Sequence, residues 1–399
     1  MNNKRILIAT GIYPPDIGGP ATMIEAMTIA LEGRGYSCSV LAYGDKDSKI
    51  KAGKRDRQFN VTRIGKDRRS PLRQAVYLTT LLRMAKRADV IYATDTYSVG
   101  LSCLFAKKLL GVPYILRFAG DSAWELASST GEISDDLETF QSKRYKPAIE
   151  ARKLMRKAIM CNADNVIAVS TFMQKIAGII GVQPDNCSLI LNSVDFLQES
   201  STIECMAPAI VKLRDKLPRD TKLVGTACRL TAWKGVDLLI KAAALLKNTP
   251  EKIQLIIMGD GPEKENLTLL AKNCDLQNDV HFLGRIPQSD MAAHLKSLDI
   301  FVLCSLYEGL SHTILQAMKA EIPVIASNIG GNPELVKHEK TGLLVPPQNA
   351  TCLAEAIAKL TKAPELRKQL ARNAKADLNL FSWARAVNAT CKVIEKVLK

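Results

Sequence analysis

Apolar runs of four to six residues, rich in β-branched side chains, recur along the chain. They alternate with longer stretches in which apolar residues return every third or fourth position. In the first half the short runs fall at 5–10, 37–42, 90–93, 114–117, 166–169 and 188–191, and helical spacing fills stretches such as 21–32, 74–87 and 99–110. The second half repeats the scheme, with runs at 223–227, 254–258, 280–283, 300–303, 324–326 and 342–345 and helical stretches at 235–246, 263–273, 311–320 and 350–360. Continuous apolar runs read as strands buried on both faces, and their alternation with helices predicts parallel sheets covered by helices on each side.

The pattern lapses once, at 196–221, into a polar and irregular segment. Two doubly wound, Rossmann-like α/β domains are therefore expected, at 1–195 and 196–380. A last helix follows at 381–399, with Trp383, Val387 and Val393 among its apolar positions. Two such domains leave a cleft facing the carboxyl ends of their strands, where ligands of open α/β sheets bind. Chemistry-bearing residues are expected just after strands.

Composition narrows the class. Of 399 residues 47% are hydrophobic and 24% charged, which suits two full cores. No uncharged apolar run reaches the roughly 18 residues of a membrane span. The segment Ile6 to Ala9 is too short for a signal-peptide core and runs into Gly11, Tyr13, Pro14 and Pro15, so it reads as a buried strand. None of the ten cysteines pairs in a C-x-x-C spacing, and most lie in apolar stretches; they fit buried thiols in a reducing cytoplasm and neither a disulfide frame nor a zinc site. The net charge is +15 and uneven: fourteen Lys or Arg lie between Lys46 and Arg87, against Asp47, Asp56 and Asp67. Such a patch attracts anionic lipid headgroups, phosphorylated substrates or nucleic acid; the plainer reading is a solvated face. Few aromatics interleave it, only Phe59 and Tyr77, and no nucleic-acid module is present, so nucleic acid is not the expected partner.

The strongest motif runs from Ser305 through Glu308, Gly309, Leu310 and Ser311 to Gln316, between the run at 300–303 and a helix. A tight turn into a helix start offers N–H groups and a dipole to a diphosphate. Glu308 beside it would repel phosphate but accept hydrogen bonds from sugar hydroxyls, so an activated sugar suits the pair better than a bare nucleotide. Arg229 directly follows the run at 223–227, and Lys234 with Gly235 opens the next helix. Two cations at one strand end can clamp a pyrophosphate and stabilise its charge as it leaves. Gly259-Asp260-Gly261-Pro262, Gly284-Arg285 and Asn328 to Glu334 supply further strand-end turns. In the first half Gly18 and Gly19 follow the opening strand and allow close backbone approach, without forming a G-x-G-x-x-G fingerprint. The one D-x-D, Asp45 to Asp47, sits in the basic stretch, so no metal is expected.

Together the Gly18-Gly19 loop, Asn192 to Asp195, Arg229 with Lys234-Gly235, Gly259 to Pro262, the Glu308 block and Gly342 to Pro346 resemble the retaining glycosyltransferases of family 4, which have the GT-B fold. The resemblance implies two Rossmann-like domains facing a central cleft, with the C-terminal helix returning to the first. It implies transfer of a sugar from a nucleotide-diphosphate-sugar donor to a saccharide or lipid-linked acceptor, by a cytoplasmic enzyme able to rest on the inner face of a membrane. Arg229 and Lys234 would then hold the donor diphosphate without a metal. Glu308 would contact the donor sugar, Gly259, Gly309, Leu310 and Ser311 would line the donor site, Arg285 would lie near the base, and Gly18 and Gly19 would face the acceptor.

Two departures stand out. The second acid of the family's E-x7-E falls at Gln316, and the first domain has no histidine after the run at 114–117. Asp121 is the candidate in its place, to orient the acceptor or the transferring sugar; the alternative is a loop aspartate capping local backbone. A nucleotide-sugar epimerase and a degenerate nucleotide-sugar-binding protein remain as rival readings of the same residues.

Overall fold

The computed structural model describes residues 4–16, 18–44, 60–65, 70–194 and 206–399. Chain contacts divide it into two units: 1–127, 137–192 and 383–399 form the first, and 128–136 with 193–382 the second.

The first unit is built on β1 (Arg5–Thr10), β2 (Ser37–Gly44), β3 (Val61–Gly65), β4 (Val90–Ala93), β5 (Tyr114–Phe118), β6 (Asn165–Ala168) and β7 (Cys187–Leu189). These form one seven-stranded sheet in the order β3-β2-β1-β4-β5-β6-β7, parallel throughout. The strand order reverses between β1 and β4. Residues 6–9 and 90–93 are buried on both faces, which explains their unbroken apolar runs. β3 was not among the expected strands. It is an edge strand in the basic stretch, and only Ile64 and Gly65 of it are buried.

The second unit carries β8 (Lys222–Ala227), β9 (Ile253–Met258), β10 (Val280–Gly284), β11 (Ile300–Leu303), β12 (Val324–Ser327) and β13 (Leu343–Val345). They form a parallel six-stranded sheet in the order β10-β9-β8-β11-β12-β13, reversing between β8 and β11. Its core joins Leu255 and Ile257 of β9, Val302 of β11 and Ile325 of β12 to Leu239 and Ile357 of the helices Val236–Leu246 and Ala350–Lys362.

Both units are thus doubly wound α/β, and the last helix, Trp383–Val397, belongs to the first of them. It packs on the helix Gly19–Glu32, and Lys396 Nζ donates to the Asp185 carbonyl at 2.7 Å. The helices Pro147–Cys161, Thr171–Ile180 and Pro364–Asp377 had not been singled out, because cations or small residues interrupt their apolar stripes.

Candidate functional site

In an open α/β sheet the crevice forms where the strand order reverses, at the carboxyl ends. In the second unit that point lies between β8 and β11, and the loops leaving these two strands carry Arg229, Lys234 and Glu308. Lys234 ends the short turn Ala232–Lys234, and Gly235 follows with φ of +64°. From there Lys234 Nζ reaches Glu308 Oε1 at 2.6 Å. The same carboxylate oxygen accepts from Ser305 Oγ at 2.7 Å, and the Leu306 N–H donates to the Trp233 carbonyl at 2.7 Å, tying loop to loop. The two charged side chains keep 19% and 11% of their surface exposed, enough to meet a ligand and too little to be ordinary surface charges.

Glycines let the surrounding loops interlock. A Cβ on Gly259, whose φ is +141°, would stand 1.8 Å from the Cys228 carbonyl oxygen, and one on Gly331 would stand 2.0 Å from that of Gly309. Hydrogen bonds fasten the same loops: Cys228 N–H to the Met258 carbonyl at 3.0 Å, Leu230 N–H to Asp260 at 3.0 Å, and Gly331 N–H to Glu308 at 2.9 Å. Beneath Glu308, Ser327 Oγ donates to the Ser305 carbonyl at 2.5 Å, and Asn332 Nδ2 donates to the Ser327 carbonyl at 3.1 Å. Glu308 is therefore held by a buried scaffold, and the packing at Gly259 accounts for its lack of a side chain.

The turn after β11 is more enclosed than its sequence suggests. Gly309, Leu310 and Ser311 are buried, while His312 and Thr313 at the helix start are half-buried. Ser311 caps the helix His312–Lys319, its Oγ accepting from Ile314 N–H at 3.3 Å and lying 3.0 Å from Thr313 Oγ1. Gln316 is half-buried on that helix, and its side chain makes no hydrogen bond to a described residue. The exposed Arg229 likewise forms no side-chain hydrogen bond or ion pair within the described residues. Arg285, after β10, is exposed, with Nε 3.4 Å from Asp260 Oδ2.

In the first unit Gly18 caps the helix Gly19–Glu32 with φ of +151°, and its carbonyl accepts from Thr22 N–H at 3.2 Å. Asp121 requires a correction. It is fully buried, its Oδ1 accepts from Ala123 N–H at 3.0 Å and Trp124 N–H at 3.3 Å, and its Oδ2 accepts from Gln141 at 3.3 Å and from the buried Arg156 guanidinium. Both oxygens are engaged by the unit's own groups, so the carboxylate anchors the start of the helix Ser122–Ser129 instead of facing an acceptor. Asn192 accepts from Arg117, and Asp195 lies outside the described residues.

An acid the sequence reading passed over lies at the first sheet's own reversal point. Asp95, just beyond β4, accepts from Tyr97 N–H at 2.7 Å, and a Cβ on Gly11, just beyond β1, would be 3.1 Å from its Oδ2. Burial pushes its carboxyl above the ordinary range, against the pull of backbone N–H groups. The signal was available: an acid two residues past a strand end, next to a glycine at the neighbouring strand end.

Much of the basic stretch between Lys46 and Arg87, with Asp45 and Asp47, falls at 45–59 and 66–69, outside the described residues. Of its described part, Arg63 lies 5.8 Å over the Tyr13 ring and Arg73 lies 5.5 Å over that of Tyr43. No three His, Cys, Asp or Glu side chains gather as a metal-binding group among the described residues.

Comparison with known proteins adds two family matches: a glycosyl transferase 4-like domain over residues 18–193 and glycosyl transferases group 1 over 212–377. The chain is 25% identical to an uncharacterised glycosyltransferase of Methanocaldococcus jannaschii, over 98% of this chain and 97% of that one. It is 29% identical to the D-inositol 3-phosphate glycosyltransferase of Corynebacterium glutamicum, over 79% of this chain and 74% of that one. In structure it resembles the Anabaena protein HepE, solved in complex with UDP and glucose, with a TM-score of 0.77 at 21% identity over 98% of this chain and 100% of that one.

Proposed function

We propose, from the premise that this chain belongs to the family 4-like glycosyltransferases of the GT-B fold, that it moves a sugar from a nucleoside-diphosphate donor to a saccharide or lipid-linked acceptor with retention at the anomeric carbon. The observation that carries the reading is the meeting of Lys234 and Glu308 at 2.6 Å where the second sheet's strand order reverses, with Arg229 on the same strand end.

The chemistry follows from charge. As the bond between the sugar and the phosphate lengthens, negative charge gathers on the leaving diphosphate. Arg229 and Lys234 stabilise it, the electrostatic work a divalent ion does elsewhere, so the reaction is proposed to run without metal. Glu308 accepts hydrogen bonds from the donor sugar's hydroxyls, and the Ser305 hydroxyl holds its carboxylate in place. Gln316 takes one ribose hydroxyl through its amide oxygen, and Arg285 lies toward the base. The acceptor hydroxyl attacks the sugar face the phosphate is leaving, and the departing phosphate oxygen takes its proton. Gly18 and Gly19 leave room for the acceptor, and Asp95 is a better placed acid on that side than Asp121.

UDP and glucose in the HepE complex, and the inositol phosphate named for the corynebacterial relative, support a nucleotide-sugar donor and a polyol or saccharide acceptor. A role in cell-surface polysaccharide or glycolipid synthesis is proposed with them, at the inner face of a membrane that the basic stretch between Lys46 and Arg87 helps to hold. A thermal-shift screen of nucleotide sugars, followed by anomer-resolved NMR of the product formed with the best donor, tests the reading. An α-donor giving an α-product supports it. A donor that binds and is never turned over would favour the degenerate binding protein, and an epimer formed without acceptor the epimerase.

A further inference from the structure

Right-handed crossovers divide the first unit's helices between its two faces, because the chain steps one way from β1 to β3 and the other way from β4 to β7. The helices Gly19–Glu32 and Trp383–Val397 pack together on one side. The helices Ser70–Ala85, Ser98–Leu110, Pro147–Cys161 and Thr171–Ile180 pack in series on the other. Their charge is lopsided. The four-helix layer carries nine Lys or Arg and a single acid, Glu150, whereas the two-helix side carries three bases and three acids.

The outer surface of this layer is also apolar where a soluble helix would be polar. Along Pro147–Cys161 seven residues are exposed, and of these only Lys157 is charged; Pro147, Ala151, Leu154, Ala158 and Cys161 are among the rest. Leu154 is 67% exposed, Leu109 65%, Ile179 49% and Phe105 41%. Single exposed apolar residues are unremarkable, but those at the helix ends converge. Lys107 Nζ, two residues from Leu109, donates to the Asn162 carbonyl at 2.8 Å, and a Cβ on Gly181, two residues past Ile179, would stand 3.5 Å from Cys161 Sγ and 3.3 Å from Lys157 Cε. Three helix ends thus meet in one patch of exposed Leu109, Cys161 and Ile179, edged by exposed Lys108 and Lys157.

We infer that this layer is the surface by which the first unit rests on an anionic phospholipid bilayer. Exposed leucine and isoleucine enter the acyl boundary, and lysines meet the headgroup phosphates. A second copy of this chain is the poorer occupant, since the exposed charges of these four helices, Arg83, Lys108, Lys157 and Lys175, are all positive and repel across a symmetric interface. The inference deepens the membrane contact proposed above: it moves the contact from the basic stretch to a folded, four-helix face. It does not depend on the donor chemistry.

The test is flotation of the full chain with vesicles of phosphatidylcholine alone and with added phosphatidylglycerol. It uses the wild type, Lys108→Glu with Lys157→Glu, and Leu109→Glu with Leu154→Glu. Wild type floats with anionic vesicles and not with neutral ones, and each double variant loses binding by about twentyfold or more, from about fivefold per lysine. A bimane label on Cys161 shifts to the blue on anionic vesicles. Donor-induced thermal stabilisation is unchanged in both variants, which shows that they are folded and separates this inference from the transferase reading. If a variant unfolds, Lys108→Gln with Lys157→Gln replaces it. Undiminished flotation of both variants overturns the four-helix face while leaving membrane contact standing. Failure of the wild type to float overturns both, and so does equal binding to neutral vesicles. A concentration-dependent dimer abolished by Leu109→Glu with Leu154→Glu assigns the face to a second copy and overturns the inference.

Discussion

Lys234 Nζ and Glu308 Oε1 lie 2.6 Å apart, an ion pair joining the loops that leave the two strands at the reversal point of the second sheet. Each charge neutralises the other, yet the proposed chemistry asks them to part: the ammonium toward phosphate and the carboxylate toward sugar. A diphosphate must compete with Glu308 for Lys234. Removing the two charges therefore has opposite effects on nucleotide binding and the same effect on turnover.

Lys234→Ala is expected to weaken binding of UDP by calorimetry, whereas Glu308→Gln, which removes the repelling carboxylate and its ion pair with Lys234, tightens it. Both lower turnover. Loss of one fixed charge contact to the leaving group costs about 2–4 kcal/mol of barrier, a fall in kcat of roughly 30- to 1,000-fold, and Arg229→Ala falls in the same range. UDP affinity moving the same way in Lys234→Ala and Glu308→Gln would falsify the division of labour.

Asp121 and Arg156 make the opposite forecast. The pair is buried, with side chains 0% and 5% exposed, so removing one partner strands the other without solvent. Asp121→Ala is expected to lose about 3–5 kcal/mol of stability in urea unfolding. Turnover per folded molecule stays within a few-fold of wild type. A variant of native stability and 1,000-fold slower turnover would return Asp121 to the chemistry.

Gly259→Ala tests whether the loops act as one body. The added methyl would overlap the Cys228 carbonyl, and φ of +141° is open to few side chains, so the strand-end loop carrying Arg229 must shift. We expect at least about 2 kcal/mol of destabilisation together with loss of UDP binding. Gly35→Ala is the control. Its φ of +86° strains an alanine too, but no atom lies within 4 Å of the added Cβ, so about 1 kcal/mol and no change in UDP affinity follow.

Which parts of this were legible in the amino-acid order depends on how local the cause is. β4 and β11 are buried on both faces, so four adjacent apolar residues were enough to mark them. β3 escaped because only two of its five residues are buried. Arg229, Lys234 and Glu308 could be recognised because each sits beside a strand end, and the reversal of strand order brings those ends together. What could not be read was pairing at a distance. Asp121 meets a guanidinium 35 residues away, and nothing near either residue announces it. Gly259 and Gly331 were legible as strand-end turns, but not that they make room for neighbouring backbone.

Burial, with a smaller push from Glu32, raises the Cys38 thiol from 9.0 to about 12. The unfolded chain therefore releases this proton first. The stability it contributes is complete below about pH 9 and is lost as pH rises toward 12. At pH 8 Ellman's reagent should react quickly with the exposed Cys161 and leave Cys38 untouched until denaturant is added. Rapid labelling of Cys38 in the native protein, read by peptide mass, contradicts this.

Gln316 stands eight residues past Glu308 on the helix His312–Lys319, half-buried, its side chain making no hydrogen bond to a described residue. In the reading offered here its amide oxygen accepts one ribose hydroxyl. A carboxylate in the same place accepts more strongly, because a hydrogen bond to an ionised group is worth about 1 kcal/mol more than a neutral one. Gln316→Glu is therefore expected to lower the donor KM by about fivefold while kcat holds, since the ribose contact is the same in ground and transition states. A 2′,3′-dideoxyribose donor removes the partner hydroxyls, and with it the two proteins should show the same KM. Should Gln316→Glu raise the KM instead, the added charge is facing the diphosphate, and Gln316 belongs to the phosphate end of the site.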